Sequence, residues 1–413
     1  MFIPYFILVE YSQNRIKYSV KERQKIIMSN NISDSVVYIG VDDKYVELFE
    51  SQYKVPNGVS YNSYLIKDEK PVIMDTVDSR ETYKWLENLE KALNGAKPEY
   101  LVLQHVEPDH SGSLIAVAEK YLDMKIVGNA KTFQFVSQFF DYDFGDRLVT
   151  VKEGDTLTTG KHTLKFLTAP MVHWPEVMVT YDSTDKVIYT ADAFGKFGTL
   201  DTEEDWACEA RRYYFNIVGK YGTQVQALLK KIASLEIKTI APLHGPVLTE
   251  NIKSYIDKYN VWSSYEPEDK GVTIAYASIH GNTGAAAKKL EELLRAKGVK
   301  NVSVFDLARD DMAEAIEDAF RYDRLVLAAA SYDGGVFTPM EDFLNRLVSK
   351  GYKKRRIALV ENGTWAPTAA RTMKAIVEKL KDVTVSENVV SFKSTLKESD
   401  LPNLEKLADE LAK

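Results

Sequence analysis

The sequence predicts an α/β protein of two unlike units, a strand-rich layered sandwich followed by a doubly wound parallel sheet. The length of 413 residues suits about two domains. Strand-like runs dominate as far as Val172, with helical patterns only at intervals. After Glu266-Pro267-Glu268-Asp269-Lys270-Gly271, strands and helices alternate instead. That polar stretch reads as a linker and sets the expected boundaries: residues 1–33 as an extension outside the fold, 34–268 as the first domain, 269–413 as the second.

In the first unit, strands are expected at Val36–Val41, Ser63–Ile66, Val72–Met74, Tyr100–Leu103, Lys125–Gly128, Arg147–Thr150 and Thr163–Leu167. Further strands are expected at Met178–Tyr181, Val187–Thr190 and Thr239–Ala241, with helices at Glu81–Leu93 and Leu114–Tyr121. This order suggests two sheets enclosed by helices. In the second unit, Val272–Ser278, Val302–Asp306, Leu325–Ala329, Ile357–Val360 and Val383–Phe392 read as strands. Helical patterns follow them at Gly284–Ala296, Asp311–Phe320, Pro339–Val348, Pro367–Leu380 and Leu401–Leu411. The stripe Ala287, Leu290, Leu294 packs one helix face on a sheet. The unbroken run Leu325-Val326-Leu327-Ala328-Ala329 fits a parallel strand covered on both faces.

Composition narrows the function. A hydrophobic content of 45% with 27% charged residues is that of ordinary globular protein. The net charge of -7 and a pI near 5.6 weigh against nucleic acid as a partner. A single cysteine, Cys208, excludes an internal disulfide framework, a cysteine-ligated zinc finger and an iron–sulfur cluster, and suits a reducing cytoplasm. Any metal must be held by His, Asp and Glu. The apolar run Phe2–Val9 is too short to span a bilayer and lacks the flanks of a secretory signal. Residues 1–27 are expected to lie outside the fold, with Met28 as the start of the folded protein's own sequence. No membrane association is expected.

Chemistry concentrates at His105-Val106-Glu107-Pro108-Asp109-His110, directly after an expected strand. Four potential ligands in one hexapeptide converge only if the loop turns sharply, and Pro108 with Ser111-Gly112 supplies that turn. Two of only six histidines in one acidic hexapeptide argue against chance. His173, Asp192 and His244 each follow another expected strand and are the candidate partners. His162, between Lys161 and Thr163, lacks that setting and is expected to be exposed.

The second unit carries three candidate ligand loops at strand ends. The first, Ser278, Ile279, His280, Gly281, Asn282, Thr283 and Gly284, joins a strand to a helix start. There, backbone N–H groups and the positive helix end can meet a phosphate. It lacks the signatures of a nucleoside triphosphate loop or a dinucleotide site. The others are Ser331, Tyr332, Asp333, Gly334, Gly335 and Asn362, Gly363, Thr364, Trp365, placed where open α/β sheets bind ligands.

Together these residues resemble the flavodiiron (A-type flavoprotein) family. The resemblance implies a metallo-β-lactamase-like αββα sandwich holding two non-haem irons, then a flavodoxin-like domain holding FMN. It places one iron on His105, Glu107 and His173, and the second on Asp109, His244 and, in some members, His110, with Asp192 bridging. Glu107 stands where zinc hydrolases of this fold usually have His, and a carboxylate is a hard donor suited to oxidised iron. FMN would set its phosphate on residues 278–283 and its ring between the other two loops. Ala330 and Thr364 replace a common proline and glycine there. The interval from Asp192 to His244 is shorter than the family's, with the shortening expected at Gly219–Gln226.

The implied activity is reduction of O2 to water for oxygen detoxification, with NO reduction to N2O as the alternative and a dinuclear zinc hydrolase as a remoter one. Trp174, beside His173, is a candidate pocket wall. The resemblance further implies a separate electron donor, namely rubredoxin, a flavoprotein reductase or a deazaflavin. It also implies a head-to-tail homodimer or a dimer of dimers.

Overall fold

The computed structural model describes residues 31–413. The expectations for residues 1–27 lie outside those residues. Asn31–Ser33, expected with the extension, belong to the fold: Asn31 bridges Val37 and the Ile32 N–H donates to Val36 O at 2.8 Å.

Alternation along the first strands builds the sandwich. Val36, Tyr64, Ile66, Val72, Met74, Val102 and Val127 point to one side of a six-stranded sheet. They meet Leu164, Phe166, Met178, Val187, Tyr189 and Ala241 of a five-stranded sheet. The opposite face of the first sheet presents Leu65, Ile73, Leu101 and Ile126 to helices. Thr82–Leu93 is one of these, burying Trp85, Leu89 and Leu93 at four-residue spacing. Each such side chain contributes about 1.5–3 kcal/mol by leaving water. Helices Trp206–Tyr213, Gly222–Ile232 and Ile252–Ser263 bury Tyr213, Val225, Leu228 and Tyr259 in the same core as Val179, Ile188 and Ile240 of the second sheet. The result is helix, sheet, sheet, helix.

The third sheet begins at Asp269. Its order is Val302–Asp306, Asp269–Ala277, Tyr322–Tyr332, Arg355–Asn362 and Val383–Val385, all parallel, the doubly wound order expected. The last expected strand, Val383–Phe392, is two: Val383–Val385 and Val390–Phe392 pair separately with Arg355–Asn362. Between them Ser386 and Asn388 turn aside to bond Glu410, at 2.9 and 2.5 Å.

The expected linker is a packed seam. Glu268 accepts from Arg211 Nε at 2.8 Å, Lys258 Nζ at 2.7 Å and Trp262 Nε1 at 2.7 Å. Phe215 stacks on Phe320 with ring centroids 4.3 Å apart, so one apolar core runs through both units. The segment from Gly219 to Tyr221 is a tight turn running straight into helix Gly222–Ile232. No helix among the described residues is long and apolar enough to cross a membrane.

Candidate dinuclear metal centre and ligand loops

Strand Tyr100–Val102 delivers the hexapeptide to the sandwich rim, and a buried carboxylate fixes its departure. Asp75 accepts from Gln104 N at 2.7 Å, Gln104 Nε2 at 3.0 Å and His105 N at 3.4 Å. Pro108 then opens a single helical turn, Pro108–Ser111. The Ser111 hydroxyl donates back to Val106 O at 2.8 Å, and the Thr76 hydroxyl to His110 O at 2.7 Å. The turn carries Asp109 and His110 to the side chains that follow the second sheet's strands.

Two groups result. In the first, His105 Nε2 and His173 Nε2 each lie 3.2 Å from Glu107 Oε2, and 3.4 and 2.9 Å from Asp192 Oδ2. In the second, His110 Nε2 and His244 Nε2 each lie 3.3 Å from Asp109 Oδ2, and 3.1 and 3.7 Å from Asp192 Oδ1. The two Asp192 oxygens are thus divided between the groups. His110, left open by the sequence, is turned inward.

The histidines are aimed by their other nitrogens. His105 Nδ1 lies 2.7 Å from Glu176 Oε1, and His244 Nδ1 lies 2.8 Å from Ser60 O. A carbonyl can only accept, so the His244 proton sits on Nδ1 and the Nε2 lone pair faces Asp109. Glu176 and Asp75 were not singled out in the sequence. Both were open to the reasoning that found His173 and Asp192, since each stands in a strand-end segment.

Burial makes the cluster costly unless cations fill it. His105, His110 and His244 are fully buried, and Asp192 nearly so. Both Asp109 carboxylate oxygens, Asp192 Oδ1 and the Nε2 atoms of His110, His173 and His244 have no hydrogen-bond partner. Burial by itself would lower the His173 pKa, but the facing carboxylates of Asp192 and Glu107 outweigh it and push it up to about 9. Burial likewise opposes ionisation of Glu107, yet His105 and His173 draw it down to about 2. Imidazole and carboxylate donors with orphaned lone pairs fit two transition-metal ions.

Trp174 stands at the mouth. Its ring lies 5.3 Å from that of His105 and stacks on Phe139 at 6.2 Å. With Phe135, Phe139, Met171, His173 and Pro175 it lines a cavity of about 370 Å³. Tyr213, also missed in the sequence, packs its ring 5.5 Å from that of His244, and its buried hydroxyl has no partner. His162, expected at the surface, is buried against Asp182 at 2.7 Å and stands outside this centre.

In the second unit the three expected loops gather at one end of the third sheet, joined by a fourth. Gly281, at φ +87°, caps helix Asn282–Ala296, and a side chain there would meet nothing within 4 Å. Thr283 and Gly284 are buried behind it, His280 is exposed, and the buried Ser278 hydroxyl lacks a partner. Asp333 and Gly334, both at positive φ, form the two-residue turn between Tyr332 and Gly335. Ser331 caps the helix starting at Ala369, accepting from Thr368 N at 2.8 Å. The fourth loop follows strand Val390–Phe392: Ser394 exchanges bonds with Asn362, both 2.9 Å, and with Thr364 at 3.0 Å. The late strand break hid this loop from the sequence. Trp365 is 88% exposed and Tyr332 47%, two aromatic faces left uncovered beside the cradle.

A family model described as ODP family beta lactamase matches residues 59–245. An uncharacterized protein of Methanocaldococcus jannaschii is 27% identical over 94% of this chain and 99% of its own. An anaerobic nitric oxide reductase flavorubredoxin of Vibrio vulnificus is 29% identical over 82% of this chain and 70% of its own. Rubredoxin oxygen:oxidoreductase from Desulfovibrio gigas shares the fold with a TM-score of 0.86 at 23% identity, covering 92% of this chain and 97% of that one. The flavodiiron protein from Giardia intestinalis does so at 0.85 and 24%, covering 94% and 97%. The fold is a β-lactamase-type sandwich, with two groups of metal-ligand side chains at its rim, joined to a flavodoxin-like domain. What the chain is similar to, in fold and along most of its length, is therefore a set of flavodiiron and flavorubredoxin proteins.

Proposed function

We propose that this protein reduces O2 to water at a dinuclear iron centre supplied with electrons by FMN, as a defence against oxygen. The observation that carries the reading is the pairing of a buried, carboxylate-rich donor set with a flavodoxin-type cradle in one chain. His105, Glu107, His173 and Asp192 would hold one iron, and Asp109, His110, His244 and Asp192 the other. Glu107, Asp109 and Asp192 offset the charge of the cations, and hard oxygen donors favour iron over zinc. Residues 278–284 would hold the FMN phosphate, with the loops at 331–335 and 362–365 flanking the ring. When bound, two ferrous ions and a reduced flavin hold four electrons, the number that takes O2 to two waters.

The chain's own residues do the rest. Glu176 and Ser60 O keep the imidazole lone pairs directed inward. Phe135, Phe139 and Trp174 make an apolar mouth that admits a diatomic molecule and disfavours water. Tyr213 retains its phenolic proton, because burial and then the carboxylates of Asp192 and Asp109 push its pKa well up. It can therefore donate a hydrogen bond to a substrate held beside His244.

NO reduction on the same site is the second reading, favoured by the names of the relatives in Vibrio and other bacteria. Oxygen and NO electrodes run on one reduced, iron- and FMN-loaded sample separate them. Faster O2 consumption is expected, and NO turnover well above it would reverse the assignment. Iron analysis with a visible spectrum tests the class itself, since a colourless zinc protein would return the site to hydrolysis.

The proposed electron donor is a separate protein or cofactor, such as rubredoxin, a flavoprotein reductase or a deazaflavin, a reading supported by Cys208 being the one cysteine in these 413 residues. The proposed unit is a head-to-tail homodimer in which the flavin of one chain serves the metal centre of its partner.

A further inference from the structure

Among the described residues a further group of ligand-type side chains lies away from the dinuclear centre: His162, Asp182 and Asp185. His162 immediately precedes strand Thr163–Thr168, whose far end leads towards His173. Asp182 closes the antiparallel strand Met178–Asp182. The group therefore sits at the opposite end of the second sheet from the proposed irons. We propose that these three side chains form a binding site for a divalent cation of the zinc class.

Three features support it. Each residue offers a ligand atom within 4.8 Å of the others, a spread that one ion closes with small side-chain movements. His162 is 3% exposed and Asp182 fully buried, so this is not a solvated acidic surface. The His162 ring meets Asp182 Oδ2 through Nδ1 at 2.7 Å, and its Nε2 makes no hydrogen bond among the described residues. His162 and Asp185 also line a cavity of about 590 Å³ whose rim carries Asp34, Asp68 and Glu69 against Lys67 and Lys161. That imbalance of charge favours a cation over an anion.

The ligand set is also held in place from behind, as metal sites require. The hydroxyls of Ser33 and Ser35 donate to Asp185 Oδ2 at 2.5 and 2.6 Å. Thr184 N donates to Asp182 Oδ1 at 2.9 Å, and His162 N to Asp68 Oδ2 at 2.9 Å. Binding through Nδ1 releases to solvent the proton that His162 shares with Asp182, the unpartnered Nε2 carries the proton of the neutral ring, and water completes the shell. A bound ion would tie the segment entering the fold at Ser33 to the hairpin at Asp182–Val187.

The test is equilibrium dialysis of the iron- and FMN-loaded full chain against zinc alone, with zinc, iron and flavin all measured. One zinc per chain is expected to add to an unchanged iron content. Zinc absorption spectroscopy should show an imidazole among oxygen neighbours. H162Q and D185N should each weaken zinc binding about tenfold or more while leaving iron, flavin and turnover unchanged. The asparagine in D185N still accepts from Ser33 and Ser35, so that variant decides the matter if H162Q does not fold. Zinc that enters only by displacing iron, or wild-type zinc affinity in a folded variant, overturns the proposal.

Discussion

His105 and His244 show how the single residue is tuned, because each imidazole has only one nitrogen to give a metal. Glu176 Oε1, 2.7 Å from His105 Nδ1, settles which one. Replacing Glu176 with Ala frees that ring to rotate and removes the charge that raises its basicity. The expected result is about 10–100-fold weaker iron binding in the His105 group, read as iron retained per chain after dialysis against a chelator. Unchanged retention would show that Glu176 does not orient the ligand. Tyr213→Phe should keep iron and flavin yet slow turnover, and equal rates would remove the hydroxyl from the chemistry. The side chains that gather here were legible because histidine is rare, six in the chain and four at this candidate centre. Their supports were not, since Glu and Asp are common and Ser60 acts through a backbone carbonyl. His162 was misjudged for a related reason: Lys161 beside it suggests solvent, whereas Asp182, distant in sequence, buries it.

Among the elements, the helix from Trp206 joins the two units. Arg211 is 2% exposed, bonded to Glu268 on one side and to Glu317 on the other, and Phe215 continues the contact onto Phe320. Arg211→Ala leaves Glu317 buried without its cation, which costs about 3–5 kcal/mol; a thermal or denaturant melt should show the loss. The seam also has a pH signature. Burial opposes ionisation of Glu268, but Arg211, Lys258 and Trp262 outweigh it and hold its pKa near 2 against an ordinary 4.5. A carboxyl depressed on folding adds stability above its unfolded pKa and loses it as pH falls through the folded one. Stability should therefore decline between about pH 4.5 and 2, and Glu268→Gln should flatten that decline in acid titration of the melt. These features explain what the pattern concealed. Arg211 and Arg212 interrupt the apolar stripe of their helix, because ion pairs rather than apolar contacts bury them. The charged stretch 266–271 looked like a linker for the same reason. Strands as short as Leu48–Phe49 have no period to detect, whereas the long apolar strands of the third sheet were plain.

In the whole molecule, the direction of the third sheet decides how the two proposed cofactors can meet. The seam is made by the starts of its strands: Glu268 N bonds Arg321 O at 2.9 Å, and Arg355 Nη1 bonds Tyr265 O at 2.6 Å. The ligand loops are at the strand ends. Strand Asp269–Ala277 has nine residues, so at about 3.3 Å per residue the cradle lies roughly 30 Å beyond the seam. Exposed Trp365 and Tyr332 lie at that far end, while Phe139, 44% exposed, and the partly buried Trp174 line the cavity beside His173. A two-fold, head-to-tail pair would bring one chain's cradle to the other's mouth. Light scattering should therefore find a dimer or a multiple of it, and a fully active monomer would refute the arrangement. The sharper test co-expresses two inactive chains. Gly281→Asp places a negative charge where the flavin phosphate would bind, and Asp192→Asn removes the carboxylate that faces both ligand groups. If flavin serves the partner's metals, mixed dimers regain one working pair of sites, and the mixture recovers roughly a quarter of wild-type turnover. If each chain serves itself, the mixture stays as inactive as its parents.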